Sequence, residues 1–314
     1  MGFNVIIALF AGLSLFLYGM QIMSDALQKS AGDRLKKLLE ILTTNKYIGV
    51  LVGAAITAVI QSSSATTVMV VGLVNAGIMN LSQAVGVIMG ANIGTTMTAQ
   101  IIAFKLTNIV PYAIIIGAIL VLFSRKKSRK HLGELIIGFG ILFMGINMMG
   151  DAMKPLKDIP EFTRFMIGLE DNPLLGVLSG LLLTAIVQSS SATVGILQTL
   201  AMQGLVPIEA ALPILFGDNI GSCVTALIAS IGTNLTAKRA AIMHVTIKII
   251  GTIIFMLILH PVSSIVVMTA SEPARQIANA HTLFNITNTV ILLPFSAMLI
   301  TFVTKVLPGE DVYD

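Results

Sequence analysis

The chain has 314 residues, of which 55% are hydrophobic and only 11% charged. Soluble domains carry about a quarter charged residues, so a sequence of mean hydropathy +0.93 leaves no room for a large water-soluble domain. The net charge of +4 comes with no basic helix and no aromatic–basic alternation, which excludes a nucleic-acid surface and makes the basic residues a signal of membrane orientation. A single cysteine, Cys223, excludes an internal disulfide and a Cys-rich metal site.

The first element, MGFNVIIALFAGLSLFLYGM, lacks the basic leader and small-residue cleavage site of a signal peptide and is expected to be a retained span over 3–24. A basic stretch holding Lys29, Arg34, Lys36, Lys37 and Lys46 follows. Residues 47–78 form two short apolar arms around QSSSAT. Spans are expected at 82–103 and 108–123, then a basic loop, SRKKSRKH, over 124–131. The next span is 134–153, followed by a charged loop with Asp158, Glu161, Glu170 and Asp171 against Lys154, Lys157 and Arg164. Residues 174–205 repeat the two-arm pattern, spans at 207–230 and 240–260 follow, and a last one covers 281–304. Arms of about 13 residues are too short to cross a bilayer and suit hairpins that enter and leave on one side.

The sequence repeats itself. GAAITAVIQSSSAT from Gly53 returns as GLLLTAIVQSSSAT from Gly180, and GANIGTTMTA from Gly90 returns as GDNIGSCVTA from Gly217, both offset by 127 residues. Gly12, Gly19 and Asp25 match Gly138, Gly145 and Asp151 at an offset of 126. A tandem duplication explains both, with one copy over 1–127, the second over 128–260 and a final helix with a short tail over 261–314. The basic stretches and Lys238–Arg239 fall on one side of the membrane, the cytoplasmic one by the positive-inside rule. Three spans per copy then turn the second copy upside down. The expected fold is an all-α polytopic membrane protein of two inverted repeats, each with a re-entrant helical hairpin and a broken transmembrane helix, which is the architecture of a secondary transporter. A duplicated bundle of full spans without hairpins is the competing arrangement.

The duplicated regions are almost free of charge. No Asp, Glu, Lys or Arg lies between Tyr47 and Phe104, and only Glu209 and Asp218 lie between Asn172 and Ala237. Glu209 follows Pro207 at a helix start, where a carboxylate favours the helix dipole. Asp218, whose repeat mate is Ala91, lies at membrane depth and needs a partner or a wet cavity. A cation site built on it would exist in one half only. A hairpin tip exposes N–H groups at the start of its second arm, and Ser and Gln donors there make a neutral cup for an oxyanion such as phosphate. Nearby carbonyl and hydroxyl oxygens suit sodium, which would supply the positive charge that neutral donors lack. Small residues also serve helix packing, but two copies of QSSS at hairpin centres favour a site. Asn92 and Asn219 lie between glycines, which argues for unwound segments there. His244 is expected to be a satisfied core histidine, and Asp25 and Asp151 solvated caps at span ends.

The paired QSSSAT, the GANIGTT and GDNIGS that follow, and the late AHTLFN (Ala280–Asn285) resemble the type II sodium–phosphate cotransporters in their bacterial form. The resemblance covers nearly the whole chain and implies sodium-driven symport of inorganic phosphate across the cytoplasmic membrane. It implies substrate contacts from Gln61, Ser62, Ser63, Ser64 and Thr66 and from Gln188, Ser189, Ser190, Ser191 and Thr193. For sodium it implies Gln61, Asn92, Thr95, Gln188, Asn219 and Ser222, to which the charge argument adds Asp218. His281 and Asn285 match the late motif. Phosphate, sodium and lipid are the expected partners, with no organic cofactor and no enzymatic activity, and oligomerisation is left open. Many bacterial relatives carry a C-terminal cytoplasmic regulatory domain, and regulation of that kind is not expected of a chain ending at Asp314. Cys223 stands where the first copy has Thr96, so equal ion sites are not expected. Other oxyanions (sulfate, arsenate or a dicarboxylate) and an anion channel are the alternatives. A serine hydrolase would need a base near its nucleophile, and the four histidines are scattered.

Overall fold

A computed structural model describes residues 2–32, 45–104 and 106–309, and the described residues contain helices and turns but no strand. Arg34, Lys36 and Lys37 of the first basic stretch lie outside them. Among the described residues, five helices are long and apolar enough to cross a membrane, or up to seven if each of two bent pairs is one span. The first is α1 (Gly2–Ala31).

The first hairpin is α2 (Lys46–Ile60) and α3 (Ser63–Asn75). At ~1.5 Å per residue these arms measure about 22 and 20 Å, short of a ~30 Å hydrocarbon core. α4 (Leu81–Gly94) and α5 (Thr96–Ile102) follow, separated only by Thr95. α6 (Val110–Phe123) lies against α7 (Lys127–Met153). The second copy continues with α8 (Pro160–Asp171), the hairpin α9 (Pro173–Val187) and α10 (Ser190–Met202), then α11 (Ile208–Gly221), α12 (Val224–Ala229) and α13 (Leu235–Leu257). α14 (Leu259–Met268), α15 (Pro273–Leu292) and α16 (Ser296–Val306) complete the chain.

Three local features depart from the sequence expectation. The charged segment after 153 is not an open loop. It contains the amphipathic α8, started by Pro160 and bent 114° from α9, and Leu169 is its buried contact. The last span, expected over 281–304, breaks into α15 and α16 with an 87° bend. Pro294 lies at that break, and its ring and missing N–H prevent a continuous helix. Lys46 Nζ fixes the corner by donating to Leu293 O (3.2 Å) and Ser296 Oγ (2.7 Å). Third, Gly90 and Gly94 are helical, as are Gly217 and Gly221, and the chain is interrupted one residue later, at Thr95 and at Ser222–Cys223.

Those glycines serve close packing. A Cβ on Gly94 would lie 2.5 Å from Ala54 O and 2.7 Å from Thr57 Cβ. A Cβ on Gly221 would lie 2.5 Å from Leu181 O and 2.8 Å from Thr184 Cβ. Gly53 and Gly90, and Gly180 and Gly217, let α2 meet α4 and α9 meet α11 backbone to backbone in the same way. This is the small-residue route to helix association in a membrane, where burial gives little drive. The duplicated glycines of α1 and α7 do likewise. Gly12 abuts Gly145 and Gly19 abuts Gly138, a crossed pairing that requires the two helices to run antiparallel.

α4 and α11 form the centre, with every residue from Ala84 to Asn92 and from Ala210 to Asn219 buried. α13 and α15 pack on both. α6 instead turns Tyr112, Ile115, Ile116, Ile119 and Leu122 outward. The third elements of the two copies therefore occupy different environments, one peripheral and one central.

Candidate functional site

Each QSSS motif forms the turn of a hairpin. Gln61 (φ 58°) and Gln188 (φ 57°) cap α2 and α9 in the left-handed region, the only non-glycine residues with positive φ among those described. Such a conformation costs about 1–2 kcal/mol for an L-residue and persists where the surroundings hold it. Here the side chain holds it. Gln61 Nε2 donates to Ala58 O and its Oε1 accepts from Thr98 Oγ1 at 2.8 Å. Gln188 repeats this with Ala185 O and with Thr225 Oγ1 at 2.9 Å. Ser62 and Ser189 then N-cap the second arms, accepting from Ala65 N (3.1 Å) and Ala192 N (3.3 Å).

The two turns meet. Gln61–Ser64 and Gln188–Ser191 line one cavity of about 230 Å³, together with Ile60 and with Leu17, Met20, Gln21 and Ser24 of α1. That volume far exceeds the ~10–15 Å³ a single water requires. Among the described residues, no charged side chain and no histidine lines it. Two helices, α3 and α10, begin there, and their first-turn N–H groups and serine hydroxyls are donors suited to an oxyanion. The cavity is asymmetric, because Gln61 is buried while Gln188 is exposed.

Thr66 and Thr193 do not line the cavity. They lie behind it, each with Oγ1 2.9 Å from a threonine of the first arm, Thr57 or Thr184. Thr184 Oγ1 also donates to Asp218 Oδ1 at 2.8 Å, a bond that Ala91 cannot make in the first copy. Thr57→Val and Thr184→Val are therefore expected to differ. The first loses one threonine–threonine contact of ~0.5–1.5 kcal/mol, the second the matching contact and the bond to the buried Asp218 carboxyl as well. Thermal unfolding in detergent should show the larger loss for Thr184→Val, and equal losses would refute the asymmetry.

The other expected sodium ligands form a deeper layer. Asn92 Oδ1 is 3.2 Å from His244 Nε2. Ser222 Oγ donates to Asn219 O (2.8 Å), and Thr95 is buried at the helix interruption without a side-chain cap bond. Thr96 donates to Ile93 O (2.8 Å) and Cys223 Sγ to Asn219 O (3.7 Å), so both turn to their own helix and the Thr-to-Cys change does not reach the cavity. His244 is half satisfied, since its Nδ1 has no hydrogen-bond partner among the described residues.

Sequence reasoning missed Lys248. It lies on α13 at 2% exposure and donates to Asn219 Oδ1 and Asn285 Oδ1, each at 2.7 Å. An isolated lysine inside an apolar span was the available signal. Gln21 and Ser24 were also missed. Their three-residue spacing in the polar second half of α1 places them on one face, but only the fold shows what it meets. Ser24 Oγ donates to Ile60 O at 2.6 Å and ties α1 to the first turn.

Comparison with known proteins finds a family model, described as Na+/Pi-cotransporter, matching residues 15–151 and 153–291. The chain is 29% identical over 306 residues to "Uncharacterized protein YqeW" of Bacillus subtilis, covering 98% of this chain and 99% of that one. It is 27% identical over 307 residues to "Putative inorganic phosphate export protein YjbB" of Escherichia coli (strain K12), covering 98% of this chain and 56% of that longer protein. Over 189 residues it is 30% identical to "Sodium-dependent phosphate transport protein 2A" of Mus musculus, covering 54% of this chain and 29% of the mouse protein. No solved structure gives a significant match.

Proposed function

Because this chain belongs to the Na+/Pi-cotransporter family, we propose that it is a secondary transporter coupling inorganic phosphate to sodium across the cytoplasmic membrane, with the two QSSS turns as the substrate seat. The observation that carries this reading is a cavity lined by both turns and, among the described residues, by no charged side chain. Phosphate would take donors from Ser62–Ser64 and Ser189–Ser191 and from the starts of α3 and α10. The antiparallel pairing of Gly12 with Gly145 and Gly19 with Gly138 supports inversion of the two copies, and with it alternating access.

A cavity without charged lining compensates an anion poorly in a low dielectric, and sodium is the proposed remedy. Lys248 does not remove that need. It does not line the cavity, and the opposite charge of Asp218, next to its partner Asn219, offsets it. Gln61 and Gln188 stand at the cavity as the proposed sodium contacts, with Asn92 and Thr95 behind them, while Asp218 lies beside the Lys248 site of the second copy.

Net direction follows the sodium, phosphate and electrical gradients together. One carrier can import or export, and the phosphate-export name of the Escherichia coli relative gives outward movement equal standing. Labelled phosphate flux in proteoliposomes tests this reading. An inward sodium gradient is expected to drive accumulation that potassium or choline does not, and reversing the gradient should drive efflux. Equal flux in all salts would instead indicate a channel or uniporter. Competition by unlabelled sulfate, arsenate and dicarboxylates identifies the anion.

A further inference from the structure

The buried lysine on α13 is bonded to two asparagines on separate helices. Its ammonium is held by the side-chain oxygens of Asn219 on α11 and Asn285 on α15, with the Phe284 ring centroid 5.8 Å away. Amide oxygens converging from separate helices are ligands for a desolvated monovalent cation, and a lysine ammonium is a compact point charge of the same sign. Asp218, the residue before Asn219, is 1% exposed, and its Oδ2 has no hydrogen-bond partner among the described residues. A buried carboxylate and a buried ammonium are each costly alone, and here Asp218 lies within electrostatic reach of Lys248 without pairing directly with it among the described ion pairs.

The first copy lacks both charges. Ala91 replaces Asp218, and α6, the third element of that copy, has no Asp, Glu, Lys or Arg over Val110–Phe123. There the equivalent asparagine, Asn92, meets His244 instead. His244 and Lys248 are one helical turn apart on α13, so this helix supplies the partner to both asparagines.

We propose that Lys248 is a tethered cation that fills a sodium-type site in the second copy, among Asn219, Asn285 and Asp218, so that this half carries a fixed positive charge instead of a mobile ion. The geometry stands without reference to substrate, but the functional consequence rests on the sodium-coupled reading above. A charge fixed to the chain is not released on either side, so it lowers by one the sodium ions moved per phosphate.

The test counts sodium. Radioactive sodium bound to purified protein at saturating phosphate, and sodium moved per phosphate in proteoliposomes, are compared for wild type, Lys248→Met, Lys248→Arg and the double variant Asp218→Asn/Lys248→Met. Lys248→Met is expected to bind one sodium more than wild type, while Lys248→Arg and the double variant gain none. An unchanged count in folded Lys248→Met overturns the proposal. Should Lys248→Met fail to fold, Asp218→Asn decides. A tethered cation predicts an unchanged sodium count there, whereas loss of one sodium makes Asp218 a ligand of a mobile ion and overturns the proposal. Sodium-coupled wild type with no gain in Lys248→Met refutes the tethered cation alone. A wild type that binds no sodium, with a gain in Lys248→Met, refutes the coupling and leaves the tethered cation standing.

Discussion

Gly180→Ala and Gly217→Ala are expected to lower the thermal transition of the detergent-solubilised protein by about 5–10 °C, whereas Gly72→Ala leaves it unchanged or slightly raised. The difference lies in what a methyl group would meet. On Gly180 it would lie 2.8 Å from Ile214 C and 2.9 Å from Asp218 N, and on Gly217 2.7 Å from Val177 C and 2.9 Å from Leu181 N. These are backbone atoms of helices, which cannot rotate aside as a side chain can. Overpacking costs ~1–3 kcal/mol where neighbours adjust, and a backbone neighbour puts these positions at the upper end. Gly72, on α3, has nothing within 4 Å of its Cβ position, so alanine there gains helix propensity at no steric cost. The measurement is a melting curve followed by size-exclusion or tryptophan-free fluorescence of a fused reporter. Equal transitions for Gly180→Ala and Gly72→Ala would refute the interlock. The same spacing at Gly53 and Gly90 predicts a matching loss in the first copy.

Replacing Ser62–Ser64, or separately Ser189–Ser191, with alanine is expected to abolish phosphate transport while the protein still folds. A hydrogen bond to a charged group contributes ~1.5–3 kcal/mol, so losing even one raises half-saturation roughly tenfold or more. Losing three exceeds a hundredfold. The structural penalty is smaller, because each triplet contains one N-cap, Ser62 or Ser189, worth ~1 kcal/mol to its helix. Single Ser63→Ala and Ser190→Ala variants leave both caps in place and separate binding from folding. Unchanged sodium-dependent flux in both triple variants would remove the QSSS turns from the site.

The duplication was legible in the sequence as matched segments, and the structure extends the match to individual bonds that were not read from it. The offset of 127 carries Thr57 and Thr66 onto Thr184 and Thr193, and Gln61 with Thr98 onto Gln188 with Thr225, and the structure pairs each set alike. Local pattern suffices for such features, since the partners lie in the repeated segments themselves. The lining by Gln21 and Ser24 was not legible, because it depends on how α1 crosses the first hairpin. Lys248 escaped for a related reason. One polar residue in an apolar helix has no periodicity, and its partners Asn219 and Asn285 are far away in the chain. The bend between α15 and α16 was marked by Pro294, whose effect the surrounding apolar run concealed. The glycines beside Asn92 and Asn219 carried a signal of close backbone approach that sequence reasoning did not read, while the helix interruption it expected there falls one residue further on, at Thr95 and Ser222–Cys223.

The left-handed glutamines determine how a ligand is met. Glycine would give each turn the same backbone at no steric cost, but it would leave the turn free to wander. A glutamine whose amide is fastened at both ends makes the loop rigid before anything arrives. The ordering entropy of the two tips is thereby paid during folding, and the encounter itself freezes few rotors. If the two tips seat the substrate as proposed, recognition of a small anion between them resembles entry into a mineral lattice site more than the closing of a flexible loop, and selectivity among oxyanions is expected to depend on their charge and radius.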